Sequence, residues 1–114
     1  MIITRSEMMQ EDRTAVRGGE GVARFIHLVP EKTQKHMRLL AEVTLPPGAS
    51  IGYHPHDNET EYFIFTDGTG MVNDNGVENP VQKGDILITG EGAAHSVTNT
   101  GQVPLVFHAF IVTY

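Results

Sequence analysis

The chain contains no cysteine among its 114 residues. This absence excludes disulfide bonds, zinc sites built from thiolates and the cysteine-containing blue-copper centre. Any metal ion bound by this protein must therefore be held by nitrogen and oxygen ligands alone.

Long apolar runs and an excess of positive charge are also missing. No stretch approaches the roughly 18 apolar residues of a membrane span, and the N-terminal segment carries Arg5 and Glu7 and lacks an apolar core of secretory length. Eight basic side chains stand against fourteen acidic ones, which gives a net charge of −6. The basic residues are scattered along the chain rather than clustered. We therefore expect a cytoplasmic protein that binds neither nucleic acid nor membranes.

Helical patterns are scarce, whereas turn signals are frequent. Twelve glycines and six prolines lie between short apolar runs, a pattern typical of many strands joined by tight turns. Asn75-Gly76 is a strong signal for a hairpin turn, and only Arg5 to Val16 leaves room for a short helical turn. The length suits one compact domain over residues 1–114. The predicted strands are Val22 to Val29, Met37 to Leu45, Ile51 to His56, Glu61 to Thr66, Gly70 to Asn73, Ile86 to Thr89, His95 to Thr98 and Leu105 to Tyr114.

Three possible metal ligands lie close together in the middle of the chain. His54 and His56 are two residues apart, so on a strand both imidazoles leave the same face. A segment rich in turn-forming residues follows, and Glu61 then opens an aromatic, β-branched run. We interpret this as a hairpin whose returning strand places Glu61 beside His56. Glu59 and Asp57 are nearby carboxylates, which we assign to the turn and its solvent-facing edge.

A second predicted hairpin supplies a fourth ligand. Gly84 to Thr89 reads as a strand, Gly90 to Ala93 as a turn and Ala94 to Asn99 as the return strand, with His95 at its start. Together the three histidines and Glu61 are predicted to hold one divalent ion. Manganese, iron, nickel and zinc all accept such a set of nitrogen and oxygen donors.

These spacings resemble the two sequence motifs of the cupin superfamily. The segment 48–68 matches the first motif at Gly48, His54, His56, Glu61 and Gly68. The segment 84–99 is similar to the second at Gly84, Gly90, Gly92, His95 and Asn99, with Gly90 at a position where the family usually has proline. Two spaced motifs in the right order are a specific signal. The chain is most similar to small single-domain cupins grouped with oxalate decarboxylases, the cupin 2 conserved-barrel group.

The resemblance implies an all-β fold, the double-stranded β-helix or jelly-roll barrel, which also suits many short strands. It implies either of two functions. One is a metal-dependent enzyme of the decarboxylase, dioxygenase or isomerase type, a lyase or oxidoreductase acting on a small carboxylate or other oxygen-rich metabolite. The alternative is a non-catalytic module that binds or senses a sugar or carboxylate, since one fold hosts many activities.

Side-chain alternation extends the site beyond the ligands. Phe63, Phe65 and Asn99 share the inner face of their strands with the ligands and are predicted to line a substrate pocket. Arg38 either clamps a substrate carboxylate or lies in solvent. Glu61 and His108 are the candidate catalytic residues.

His108 depends on the register of the last strand. Facing inward, it would be a general acid–base group, whereas the other register makes it a hydrogen-bonded core or surface histidine.

A homodimer is also predicted. The strands around Val22 to Val29 and Leu105 to Tyr114 are apolar and would otherwise be exposed sheet edges, so pairing across a two-fold axis would protect them. Small cupins similar to this chain are commonly dimers, which agrees with that argument.

Overall fold

A computed structural model describes residues 1–114, most of them in ten strands. The strands are β1 (Met9–Thr14), β2 (Val22–His27), β3 (Met37–Leu45), β4 (Ser50–Pro55), β5 (Glu59–Asp67), β6 (Thr69–Asp74), β7 (Val77–Gln82), β8 (Ile86–Gly90), β9 (Ala94–Asn99) and β10 (Leu105–Thr113). The helical segments are three short 3-10 turns at Arg5–Glu7, Val16–Gly18 and Glu31–Thr33. None of them has the length and apolarity needed to cross a membrane.

The strands form two antiparallel sheets that enclose a common core. The larger sheet has the order β1-β2-β3-β10-β5-β8, and the smaller has the order β4-β9-β6-β7. Buried apolar side chains from both sheets make one cluster between them. The predicted all-β jelly-roll architecture is confirmed.

Each predicted strand is present, but β1 and β7 were missed. Their sequences lack the apolar alternation of a strand, because β1 has no buried residue and β7 buries only Val81 and contains Pro80. Both are outer strands of their sheets, where exposure and proline are tolerated. The predicted turn Asn75-Gly76 is confirmed, since it joins β6 to β7 with positive φ at both residues.

The two predicted hairpins are wrong. β4 pairs with β9, whereas β5 pairs with β10 and β8, so β4 and β5 belong to opposite sheets. β8 and β9 are likewise in opposite sheets. Alternation shows which side chains face the interior, but it does not distinguish partners on one ladder from partners on facing sheets. The ligands therefore meet across the interior rather than along a hairpin.

The strands predicted to be open edges are also interior. β2 lies between β1 and β3, and β10 lies between β3 and β5. Sequence alone marks them as edges because β1 has no apolar pattern and nothing in the sequence signals the central position of β10. The outer strands are β1 and β8 in the larger sheet and β4 and β7 in the smaller.

The strand register arranges inward-facing side chains of the larger sheet in layers. The lower layer runs through Phe25, Val43, Phe107 and Phe65. The middle layer runs through His27, Ala41, Ala109, Phe63 and Leu87. The upper layer runs through Leu39, Ile111, Glu61 and Thr89. On the larger sheet, large apolar residues thus fill the lower layer, while polar side chains appear in the middle layer with His27 and in the upper layer with Glu61 and Thr89.

Candidate metal centre

Four buried side chains converge at the upper end of the core. His54 and His95 are adjacent partners on β4 and β9, His56 follows β4, and Glu61 reaches them from β5 of the other sheet. The Nε2 atom of His56 lies 3.2 Å from Nε2 of both His54 and His95. Oε1 of Glu61 lies 2.8 Å from Nε2 of His56 and 3.0 Å from Nε2 of His95.

An irregularity in β4 aims His54 at this point. Ile51 pairs with Val97 and His54 with His95, so the three-residue step in β4 faces a two-residue step in β9. Such a bulge changes the alternation, and Ile51 and His54 therefore both point inward. Gly52 lies inside the bulge, where a side chain would collide with the carbonyl oxygen of Arg17.

Each imidazole is also held through its second nitrogen. Nδ1 of His54 lies 2.6 Å from the carbonyl oxygen of Gly52, and Nδ1 of His56 lies 2.6 Å from Oε2 of Glu59. Carbonyl and carboxylate oxygens only accept, so these two Nδ1 atoms carry the proton and donate it. Nδ1 of His95 is hydrogen-bonded to the Thr89 hydroxyl at 2.8 Å. This second contact is the usual means of fixing a metal-binding histidine and turns Nε2 towards the ion.

The electrostatics of the cluster favour a cation. Burial lowers the pKa of His54, and neighbouring positive charges, including that of Arg17, lower it further. Burial opposes ionisation of Glu61, but hydrogen bonds from His56 and His95 outweigh it and lower the pKa of that carboxyl. Burial also opposes a charge on His56, yet its bonds to two glutamates outweigh this and raise its pKa. The negative field that holds a proton on His56 would equally stabilise a metal ion.

The donor atoms fit a divalent metal ion. Two ligands at right angles on an ion, each with a bond of about 2.1 Å, lie about 3.0 Å apart. The separations of 2.8 to 3.2 Å between these atoms agree with that spacing. Nitrogen and carboxylate oxygen donors suit manganese, iron, nickel or zinc. The four residues predicted as ligands are therefore brought together in an arrangement able to bind a metal.

Glu59 contacts the cluster directly, so its assignment to the solvent-facing edge is wrong. It accepts a hydrogen bond from His56 and two from Arg38, each 2.7 Å long. The hydrogen bond from Arg38 is the main cause that lowers the pKa of Glu59 to about 2. Arg38 falls at a register irregularity of β3, where Leu39 pairs with Ile111 and Met37 with Val112. A bulge there accounts for its turning towards Glu59.

A cavity of about 580 Å³ opens beside the metal ligands. His54, His56 and Glu61 form part of its wall, and Phe63, Phe107, Ala109 and Ile111 make it apolar. Arg38 also lines it and is hydrogen-bonded to Glu59, so Phe63 and Arg38, which were predicted to line a substrate pocket, both lie at this cavity. The ring of Phe63 stacks on that of His95 with 4.7 Å between centroids.

Phe65 and Asn99 face inward as predicted but do not line this cavity. Phe65 belongs to the lower core layer and packs against Phe107. The Asn99 amide donates to the carbonyl oxygens of Leu45 and Val103, so it ties the chain together away from the metal ligands. Alternation identified their face but not their depth in the core.

His108 lies on the outer face of the larger sheet, so the inward-facing interpretation is wrong. Its neighbours Phe107 and Ala109 point inward, and its Nε2 lies 3.8 Å from Oε2 of Glu42. It therefore has no access to the metal ligands. The surface-histidine alternative is the one that the structure supports.

Further polar residues that the sequence analysis did not identify also line the cavity, among them Glu11, Arg17 and His27. His27 could have been found, because Ala23, Phe25 and His27 alternate on one face of β2. Glu11 lies on a strand with no apolar pattern and Arg17 on a short turn, so neither gave a signal. Arg17 also has a left-handed φ of 52°, which is uncommon for a residue with a side chain.

Comparison with known proteins identifies relatives of this chain. The model of the family described as Cupin domain matches residues 41–113. The oxalate-binding protein of Thermotoga maritima is 37% identical over 98% of this chain and 93% of its own length. The crystal structure of a predicted oxalate decarboxylase from the same organism superposes with a TM-score of 0.94, covering 100% of both chains at 36% identity. A protein from Silicibacter pomeroyi described as a sugar phosphate isomerase shares the fold, with a TM-score of 0.81 and 18% identity over 100% of this chain and 76% of its own.

Proposed function

The chain belongs to the cupin domain family, and on that premise we propose that it binds a small chelating carboxylate through one divalent metal ion. The observation that carries the proposal is the convergence of three imidazole Nε2 atoms and one carboxylate oxygen at the wall of a cavity. The name of the Thermotoga maritima relative makes oxalate the first ligand to test.

Separate residues would bind the ion, orient the imidazoles and keep water from the ligand. His54, His56, Glu61 and His95 would hold the ion, and Gly52, Glu59 and Thr89 keep the three imidazoles oriented. A divalent ion in that set supplies a net positive charge of about one and acts as a Lewis acid towards anionic oxygen ligands. Phe63 and its apolar neighbours exclude water from the ligand.

Arg17 adds positive charge at the cavity. The other four arginines, Arg5, Arg13, Arg24 and Arg38, each form an ion pair with a carboxylate. Arg17 lines the cavity and forms none, so its guanidinium is available to an anionic ligand. An unpaired cation near a cationic metal site favours a ligand that carries more than one negative charge.

A metal-dependent enzyme of the lyase or oxidoreductase type is the second candidate. It is favoured by one observation, the position of His54, His56 and Glu61 on the cavity wall, which gives a ligand direct access to the ion. Enzymatic metal sites need such an open side. Measuring oxalate consumption and carbon dioxide release with and without dioxygen distinguishes turnover from binding and dioxygenase chemistry from decarboxylation.

The experiment that tests the proposal measures metal content and oxalate binding together. The purified protein is stripped, reconstituted separately with Mn²⁺, Fe²⁺, Ni²⁺ and Zn²⁺, and titrated with oxalate by calorimetry. We expect about one equivalent of metal and oxalate binding only in the metal-loaded protein. His56→Ala should lose the metal, whereas the control His108→Ala, which removes a histidine outside the cavity, should retain it. Full metal content in His56→Ala after dialysis against a weak chelator, or equal oxalate affinity without metal, would contradict the proposal.

A further inference from the structure

Glu11 and His27 form a hydrogen-bonded pair on the cavity wall away from the metal ligands. Nε2 of His27 lies 2.6 Å from Oε1 of Glu11, and the side chain of His27 is only 16% exposed. Arg13 donates to the same carboxylate oxygen at 2.6 Å and lies over the ring of Phe25, 4.5 Å from its centroid. All four residues line the cavity. The imidazole is therefore held in place by a carboxylate that is itself held by an arginine.

The direction of the hydrogen bond in this pair follows from its chemistry. The hydrogen bond from Arg13, followed by that from His27, lowers the pKa of Glu11, which keeps it a carboxylate. A carboxylate only accepts, so the Nε2 atom of His27 carries the proton and donates it. In the neutral ring, Nδ1 then has a free lone pair and can accept a hydrogen bond from a hydroxyl group.

The middle layer of the core leaves space between this pair and the metal ligands. His27 and Phe63 lie in the same layer of the larger sheet, and the two positions between them are Ala41 and Ala109. The corresponding positions one layer below are Val43 and Phe107. Three interstrand spacings separate the backbones of His27 and Phe63, roughly 14 Å along the curved sheet. The small side chains thus leave room in this layer between His27 and Phe63.

The cavity is larger than a small chelating acid requires. Its volume is about 580 Å³, within the range of about 300–1,000 Å³ that holds drug-sized ligands. A two-carbon dicarboxylate at the metal would fill only the end beside His56 and Glu61. The remaining space has apolar walls and ends at a polar group, a combination that suits a longer ligand.

We propose that the Glu11–His27 pair is a second binding point in this cavity, and that the ligand it serves is a chelating acid with a hydroxylated tail. The acid end binds at the metal ligands, and a tail hydroxyl donates to His27. This inference rests on the proposed function, because the acid end needs the metal. The second binding point extends the proposed ligands to a further class, the sugar acids and related hydroxylated keto acids.

The test compares three probes by calorimetry on protein reconstituted with Mn²⁺. Oxalate reports on chelation at the metal alone, D-gluconate has a chelating 2-hydroxy carboxylate and a hydroxylated tail, and 2-hydroxyhexanoate has the same acid end and a tail of the same length without hydroxyls. We expect D-gluconate to bind about tenfold more tightly than 2-hydroxyhexanoate. In His27→Phe, which keeps a ring against Phe25, this preference should disappear while oxalate affinity stays within about twofold.

Two further variants make the result specific. Glu11→Gln removes the charged acceptor and should weaken the binding of D-gluconate but not that of oxalate. Asp12→Asn is the matched control, because Asp12 is on the same strand but pairs with exposed Arg24 outside the cavity. It should leave all three affinities unchanged.

The failures of the two proposals are distinguishable. If oxalate binding depends on Mn²⁺ but the two six-carbon acids bind equally well, the second binding point is wrong and the metal function stands. If His27→Phe weakens the binding of oxalate and of D-gluconate equally, His27 has only a structural role and the inference is again wrong. If oxalate binds equally well without Mn²⁺, the proposed function is wrong.

Discussion

At the scale of single residues, the centre is defined as much by its supporting contacts as by its ligands. The three histidines use three different partners for Nδ1: a backbone carbonyl, a carboxylate and a hydroxyl. Only the carboxylate, Glu59, adds charge, and it makes the bonded imidazole a stronger electron donor. Because Glu59 is itself neutralised by Arg38, it does so without leaving an unpaired charge near the core.

Glu59→Gln should therefore weaken metal binding while leaving the fold intact. Loss of a supporting carboxylate typically lowers metal affinity by about 10- to 100-fold. Competition with a chelator of known affinity, followed by metal analysis, measures the change. Asp57→Asn is the control, since Asp57 is an exposed carboxylate in the same turn that forms no hydrogen bond or ion pair with a histidine. Equal metal affinity in Glu59→Gln and the unsubstituted protein would show that Glu59 pairs with Arg38 but does not support metal binding.

At the scale of elements, bulges decide which side chains reach the site. Regular alternation from Ile51 would turn His54 outward, and the extra residue in β4 corrects this. The strand depends on a neighbouring turn, because Ser50 exchanges backbone and side-chain hydrogen bonds with Glu20. Gly52 allows the close approach, since any side chain there would meet the backbone of Arg17.

Gly52→Ala should consequently disturb the metal centre through the backbone. The added methyl group cannot fit without moving the turn or the bulge, at a cost of about 1–3 kcal/mol in unfolding free energy. Reorientation of His54 should also lower metal affinity, measured by chelator competition. Gly48→Ala is the control, since it has a left-handed φ of 84° but no atom within 4 Å of the new methyl group. It should cost stability without changing metal affinity, and a Gly52→Ala protein with unchanged metal affinity would disprove the role of the bulge.

The same elements show what sequence can and cannot predict here. The ligand set was predicted because chemistry and spacing marked His54, His56, Glu61 and His95, and strands with apolar alternation were found nearly in full. The hairpins were wrong because alternation carries no information on which sheet a strand joins. Bulges leave no sequence signal either, so the inward turn of Arg38 and the contact of Glu59 with His56 were beyond reach.

At the scale of the whole molecule, one surface stands out as apolar. The outer face of the larger sheet carries an outer apolar patch made of Leu40, Ile64, Tyr62, Ile86, Ile88 and Phe110, which are neighbours by strand register. Ile86 is 59% exposed and Ile88 58% exposed, and both lie on β8, an outer strand of its sheet. Exposed apolar side chains beside an unpaired strand edge favour association.

We therefore predict a homodimer that covers the outer apolar patch, rather than one that pairs through β2 and β10. A two-fold axis beside β8 would bury Ile86 and Ile88 of both copies and protect both edges at once. Sedimentation velocity at micromolar concentration should show a dimer. Ile88→Lys should convert it to a monomer, because it would bury two unpaired charges in the interface. Val77→Lys is the control, since Val77 is equally apolar and 62% exposed but lies on β7 of the smaller sheet. A monomeric unsubstituted protein, or a dimer that persists in Ile88→Lys, would reject this interface.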